Sequence, residues 1–394
     1  MVAVTLLATL VVAAAASLFM AWAIGAGSSG STPFAPAVGA NAISIMRAGF
    51  VVGILGFAGA VLQGANVTQA VGTELVVGSV LTATAATIAL ITAAALVAVG
   101  VFTGYPIATA FTVTGAVVGV GIANGGAPAW EMYQQIVTLW VLIPFVGGGI
   151  AYATARLLRS ESVSERLAVP LLAGVVGLLV ANIRFALLGP PESSGMSIAR
   201  YASIALFDGG LLGVAVVSLF AAAVTGAIVS RDVTRNPAAG QRRFLLLLGG
   251  LVAFSAGGSQ VGLAIGPLVP LLDSVTVPLV VLLIGGGLGL LAGSWTGAPR
   301  MIKALSQDYS SLGPRRSIAA MIPSFAIAQV AVALGIPVSF NEIIVSAIIG
   351  SGYAASTSGV STEKMVKTAL AWAGSLVLAF SVSYALFTAV EAVV

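Results

Sequence analysis

The chain has 394 residues, 59% of them hydrophobic, with 16 Lys and Arg, 12 Asp and Glu, and a formal net charge of +4. Only 7% of its residues are charged, against about 25% in a soluble globular domain, so a soluble enzyme and a single-span anchor with a soluble head are both excluded. With no Cys and no His, disulfides, thiolate nucleophiles, zinc or haem sites built on those ligands, and imidazole acid–base chemistry are excluded as well.

The apolar residues suffice for roughly eleven or twelve membrane helices of ~20 residues each, and they do not alternate with polar ones as the strands of a membrane barrel would. The chain opens on MVAVTLLATLVVAAAASLFMAWAIGAG. This run lacks a basic n-region and exceeds a signal-peptide core, which predicts a retained membrane helix. Apolar runs fall at about 3–25, 48–64, 75–101, 135–155, 167–183, 203–230, 243–256, 276–293, 316–334 and 365–390. Four stretches between them, 26–46, 104–122, 257–273 and 335–356, are rich in Gly, Ser, Thr and Pro yet still apolar. Each is too short or too interrupted for a uniform span. In a transporter, such broken segments line a binding cavity, because irregular backbone is tolerated at membrane depth only there. A tight turn outside the membrane is the plainer alternative.

Three pairs of segments share one offset. GYPIATAFTVTGAVVG (104–119) resembles GIPVSFNEIIVSAIIG (335–350), AGSSGSTPFA (26–35) lies opposite GGSQVGLAIG (257–266), and GILGFAGAVL (53–62) opposite IGGGLGLLAG (284–293), all 231 residues apart. Trp140 and Trp372 match at 232, as do Glu131 and Glu363. The reading is an internal duplication: a first transmembrane repeat over 1–163, a central insertion with about two spans over 164–231, and a second repeat over 232–394. The triple-glycine runs 147–149 and 285–287 lack the lysine and the strand–loop–helix setting of a phosphate loop and read as sites of close helix packing and hinge motion.

Charge sets the relative orientation. Basic residues cluster at Arg156, Arg159 and Arg166, at Arg231, Arg235, Arg242 and Arg243, and at Arg300, Lys303, Arg315 and Arg316. The positive-inside rule puts all three clusters in the cytoplasm, and nucleic-acid binding is not expected of them. Their repeat-mates, residues 65–85 and the two termini, carry no Lys or Arg, so equivalent positions face opposite sides, the mark of an inverted-topology repeat. The expected fold is an all-α polytopic protein of the cell membrane. It has about 12 transmembrane segments in two inverted repeats, discontinuous helices, and both termini outside.

At these residues the sequence resembles the inorganic phosphate transporter family, whose paired signature reads like GANDVANAFGTAVGSGAI and HGSNDVANAIGPL. AGSSGSTPFAPAVGANAI (26–43) shares Phe34, Ala37, Val38, Gly39, Ala42 and Ile43 with the first. FSAGGSQVGLAIGPL (254–268) shares Phe254, Ser255, Gly257, Val261 and the closing Ala264-Ile265-Gly266-Pro267-Leu268 with the second. The family's G-[LY]-P-[VI]-S-T-T-H is similar to Gly104 through Phe111 and to Gly335 through Glu342, and its G-P-R-x-I-K to Ala298 through Lys303. The resemblance implies a secondary transporter that moves inorganic phosphate or a similar oxyanion by alternating access. It also implies cation-coupled symport with sodium or protons, no cofactor, and a second copy of the chain as a candidate partner. The departures are specific. The signature Asn-Asp is Ser28-Ser29 in one half and Ser259-Gln260 in the other, the later Asn is Thr32 and Leu263, and the histidines are Phe111 and Glu342. Cation coupling through the family's aspartates therefore does not carry over to these positions, and sulfate is an alternative cargo.

The remaining chemistry suits an anion. Ser28, Ser29, Thr32, Ser259 and Gln260 can donate hydrogen bonds, while Gly27, Gly30, Gly257 and Gly258 would let backbone N–H groups approach. Helix N-termini at the breaks would add partial positive charge. Thr109, Ser339 and Asn341 complete the candidate anion-binding set from the other broken segments. Glu342, beside Ile343, Ile344 and Val345, is costly in lipid unless paired or protonated, which makes it the candidate coupling-ion ligand or titrating group. For any single hydroxyl, helix packing is the competing role. Glu74 reads as interfacial, Arg47 as an interface anchor rather than an anion ligand, and Asp208 as interfacial or as facing a lipid-protected cavity or a partner. No paired catalytic motif is present, so enzymatic activity is not expected; a binding or sensory protein that has lost transport is the remaining alternative.

Overall fold

The computed structural model describes residues 2–161, 163–189, 195–274, 277–354 and 360–393. Residue 276 and residues 355–356, at the edges of two predicted segments, lie outside these.

The helices follow the apolar runs in chain order. They are α1 (Val2–Ile24), a short α2 (Ala35–Gly39), α3 (Ile45–Gln63), α4 (Ala65–Thr73), α5 (Ala83–Thr103), α6 (Thr109–Ala123), α7 (Trp130–Arg159) and α8 (Glu165–Ala181). Then come α9 (Ile198–Phe207), α10 (Leu211–Arg235), α11 (Pro237–Ile265), α12 (Leu279–Thr296), α13 (Ala298–Gln307), α14 (Pro314–Leu334), α15 (Phe340–Tyr353) and α16 (Thr362–Glu391). The only described strands are two-residue pairs, Val76–Val77 with Ala127–Pro128 and Arg184–Phe185 with Met196–Ser197. Among the described residues nine helices are long and apolar enough to cross a membrane. Their outer faces stay apolar where they are exposed: Phe145 is 74% exposed, Phe220 69% and Leu211 87%, the surface a lipid phase rather than water would cover.

Helix ends are set by local chemistry. Thr82, Asn236 and Ser361 cap α5, α11 and α16 by accepting from the backbone N–H of Ala85, Ala239 and Lys364, satisfying donors that the first helical turn leaves free. Gly104 and Gly335 terminate α5 and α14 with φ of +77° and +69°, a conformation glycine adopts without a Cβ penalty. These two glycines are offset-mates. Each is followed by a four-residue extended stretch that leads inward to a short helix, α6 or α15.

Packing between the segments is reciprocal. α6 packs along α16 while α15 packs along α7, and α1 against α12 while α11 packs against α3. Glycine permits the closest of these approaches. A Cβ on Gly257 would stand 1.8 Å from the carbonyl oxygen of Gly56, and one on Gly350 2.0 Å from that of Gly148. The central segment forms its own pair, α8 against α10, with α9 beside it.

Two expectations change. The stretch 257–273 is not a break at its start, because α11 runs unbroken through Gly257 and Gly258 to Ile265 and passes into a 3₁₀ turn only at Gly266. The apolar run 203–230 is not one helix, because Asp208 and Gly209, both at positive φ, turn the chain between α9 and α10.

Candidate functional site

The centre of the bundle holds polar side chains drawn from widely separated parts of the chain. Ser28 lies in the π-helical stretch Gly25–Ser29 that continues α1, Thr109 is the first residue of α6, and Gln260 sits near the end of α11. The Gln260 Oε1 accepts from Thr109 Oγ1 at 2.7 Å and from Ser28 Oγ at 3.2 Å, and its Nε2 donates to the carbonyl of Val338 at 2.6 Å. Asn341, in the first turn of α15, donates from Nδ2 to the carbonyls of Gly27 (2.9 Å) and Ile107 (2.7 Å). Two carboxamides thus hold three separate segments, 27–28, 107–109 and 338–341, against one another and against α11.

All nine predicted site residues are buried: Ser28, Thr32, Thr109, Ser259, Gln260, Ser339 and Asn341 are fully enclosed, Glu342 is 1% exposed and Ser29 2%. Ser28, Thr109, Gln260 and Asn341 are brought together. Thr32 is engaged elsewhere, donating to the carbonyl of Ser28 at 3.0 Å. Ser29, Ser259 and Ser339 are chain neighbours of that cluster, and Glu342 follows Asn341. Five buried polar atoms here have no hydrogen-bond partner: Ser29 Oγ, Ser259 Oγ, Ser339 Oγ, Asn341 Oδ1 and Glu342 Oε2. An unmade buried hydrogen bond costs about 1–3 kcal/mol. Three of the five are serine hydroxyls able to donate, while Asn341 Oδ1 can only accept.

The backbone contribution differs from that expected. The N–H groups of Gly257 and Gly258 are used within α11, and the missing Cβ of each glycine serves close packing. A Cβ on Gly30 would meet the carbonyl oxygen of Gly25 at 2.0 Å, which gives that glycine a packing reason too. Helix N-termini that begin inside the bundle include those of α6 and α15, at Thr109 and Phe340. Their positive dipole ends come from the 104–122 and 335–356 segments. Arg47, Glu74 and Asp208 are exposed.

Sequence reasoning passed over a polar chain above the site. Gln63 donates from Nε2 to the carbonyl of Arg184 at 2.9 Å, and Gln329 donates to Gln63 Oε1 at 3.3 Å and to Ser255 Oγ at 2.5 Å. With Asn66, Asn182 and Arg184, the two glutamines line a cavity of about 250 Å³. Ser255 stands one turn before Ser259 on α11 (i, i+4), so this cavity approaches the site along that helix. The available signal was a glutamine inside each of two apolar runs.

Residues 24–383 match the phosphate transporter family. A chain of Thermococcus kodakarensis assigned as a phosphate permease is 27% identical over 400 residues, covering 93% of this chain and 94% of its own length. Inorganic phosphate transporter 2-1, chloroplastic, of Arabidopsis thaliana is 25% identical over 90% of this chain and 67% of its own. The solved structure of a sodium-dependent phosphate transporter superposes with a TM-score of 0.82 at 22% identity, covering 98% of this chain and all of that one. This likeness gives a multi-spanning, all-α membrane fold.

Proposed function

We infer the function from membership: the chain belongs to the phosphate transporter family. It is a secondary transporter, not an enzyme, and it moves phosphate or a related oxyanion across a membrane. The observation that carries this reading to particular residues is the buried cluster of Ser28, Thr109, Gln260 and Asn341, surrounded by unpartnered polar atoms. Neutral donors in a dry site bind an oxyanion through charge-assisted hydrogen bonds. Ser29, Ser259 and Ser339 add hydroxyls from adjacent positions. Thr32 orders the backbone of Ser28, and Glu342 is the group that couples transport to sodium or protons.

The mechanism is alternating access between two inverted repeats, 1–163 and 232–394, joined by the central segment 164–231. Twelve spans result when α6, α8 and α15 are added to the nine long helices, five in each repeat and two between, with both termini outside. Three features support this arrangement: the offset-mates Gly104 and Gly335, the reciprocal packing of α6 on α16 and α15 on α7, and the absence of basic residues from the mates of the basic loops. A rocking motion of one repeat against the other would open the site to each side in turn.

The test is uptake into vesicles reconstituted with the full chain. Labelled phosphate should accumulate under an imposed sodium or proton gradient, and unlabelled sulfate should measure how far the site tolerates another oxyanion. Ser28→Ala and Ser259→Ala should each lower uptake with the amount of folded protein unchanged. Full uptake in both would remove these residues from the site, and no gradient-driven uptake of any oxyanion would overturn the transport reading.

A further inference from the structure

We propose a second anion site, remote from the central one, that takes a phosphate group through Arg159 and Arg316. It is a cleft of about 620 Å³ where α8, α11 and α14 begin and α7 ends, lined by these two arginines with Glu165, Gln241, Pro314 and Arg315 among others. Three arginines face one carboxylate, and that carboxylate is already engaged. Arg315 forms an ion pair with Glu165, and Gln241 donates to the same Glu165 from Nε2 at 3.0 Å.

The other two guanidiniums are uncompensated. Arg159 donates to the carbonyl of Ala354 at 3.3 Å and Arg316 to Ser311 Oγ at 3.1 Å, both neutral acceptors. Neither has a carboxylate partner among the described ion pairs. A guanidinium offers five N–H donors in a planar fork, so most of the donors on each remain for a ligand. Two like charges lining one cleft repel unless an anion sits between them. Ser164 and Asn236 cap α8 and α11, and Pro237 and Pro314 open α11 and α14 without an N–H, so what these first turns add on the same side is chiefly partial positive charge. Arginine forks with helix N-termini match the oxygens of a phosphate group.

This site is not the central one. α11 connects Gln241 in the cleft to Gln260, and 19 residues of α-helix span about 28 Å. The proposal does not depend on what the central site carries, and binding alone can test it. The same chemistry fits a free phosphate ion or the headgroup of an anionic phospholipid at the membrane surface, and the volume admits either.

The experiment uses the purified full-length chain at low salt, as wild type, as the Arg159→Gln/Arg316→Gln double variant, and as Gln260→Leu to disable the central site. Each is titrated with inorganic phosphate in one arm. In the other arm each is titrated with short-chain phosphatidic acid, with the matching diacylglycerol as the uncharged control. In the double variant, binding of at least one of the two phosphate ligands should weaken roughly tenfold or more, the scale of one charge-assisted hydrogen bond, while persisting in Gln260→Leu. Loss with inorganic phosphate alone identifies a free-anion site, and loss with the lipid alone a headgroup site. Double-variant affinities equal to wild type for both ligands would overturn the proposal. If the double variant does not fold, Arg316→Gln alone decides it by the same criterion, since its described hydrogen bond is to a serine hydroxyl.

Discussion

Trp140 and Trp372 join the two halves of the chain through equivalent hydrogen bonds. The indole N–H of Trp140 donates to the carbonyl of Pro337 at 2.9 Å, and that of Trp372 donates to the carbonyl of Pro106 at 2.7 Å. The two prolines are 231 residues apart and the two tryptophans 232. Each bond pins the extended stretch that leads into α15 or α6, and so fixes where those short helices begin. Trp140 is further held by Phe111, stacked at 3.8 Å between ring centroids.

Trp140→Phe and Trp372→Phe should therefore destabilise the fold to similar extents. Each keeps most of the ring but leaves a buried carbonyl without its donor, at a cost of about 1–3 kcal/mol. Thermal unfolding in detergent checks this, and a shift confined to one of the two would show that the bonds are not equivalent in energy.

Thr109→Val preserves side-chain shape and removes one of the two donors to Gln260 Oε1. Uptake should fall about tenfold, the effect of losing one hydrogen bond of roughly 1.4 kcal/mol, while the unfolding temperature changes little. Asn341→Ala is expected to be more severe in both measurements, because it strips the carbonyls of Gly27 and Ile107 together.

Gly257→Ala should impair folding or assembly more than any hydroxyl deletion in the site. Its new methyl would stand 1.8 Å from the carbonyl oxygen of Gly56, a backbone atom that cannot rotate away. Overpacking of this kind costs typically about 1–3 kcal/mol. Recovery of folded protein from membranes gives the readout, and a wild-type yield would show that α3 and α11 separate easily.

Glu342→Gln keeps the volume of the side chain and removes its ability to ionise. Gradient-driven uptake should drop by about tenfold or more, with exchange of labelled for unlabelled phosphate across the membrane less affected. If accumulation under sodium and proton gradients both match wild type, Glu342 has no part in coupling.

Tyr309 makes the pH dependence of the fold testable outside the spanning helices. Its phenol is buried against α16, where Tyr309 Oη and Thr368 Oγ1 lie 2.7 Å apart, and burial pushes its pKa up to about 12. A raised folded pKa means that the stabilising contribution is complete below the unfolded value near 10 and is lost as pH rises through about 12. Stability measured from pH 9 to 12 should decline in that window, and Tyr309→Phe should flatten the decline.

Much of the helical framework was legible in the chain itself. A run such as Leu279–Thr296 is apolar on every face, so it must form its backbone hydrogen bonds within itself at membrane depth, and no distant residue is needed to dictate that. The unusual polar positions were legible too, since Ser28, Gln260, Asn341 and Glu342 interrupt apolar surroundings and each is buried in the structure. What tertiary structure alone decided is which of them meet. Gln260 reaches Val338 and Thr109 across separations of 78 and 151 residues, while Thr32 turns back onto its own turn. Local apolarity cannot distinguish those outcomes. Nor could it show that α11 continues through Gly257, because a helix broken for function and one thinned for close packing contain the same glycines, and only the position of Gly56 opposite tells them apart.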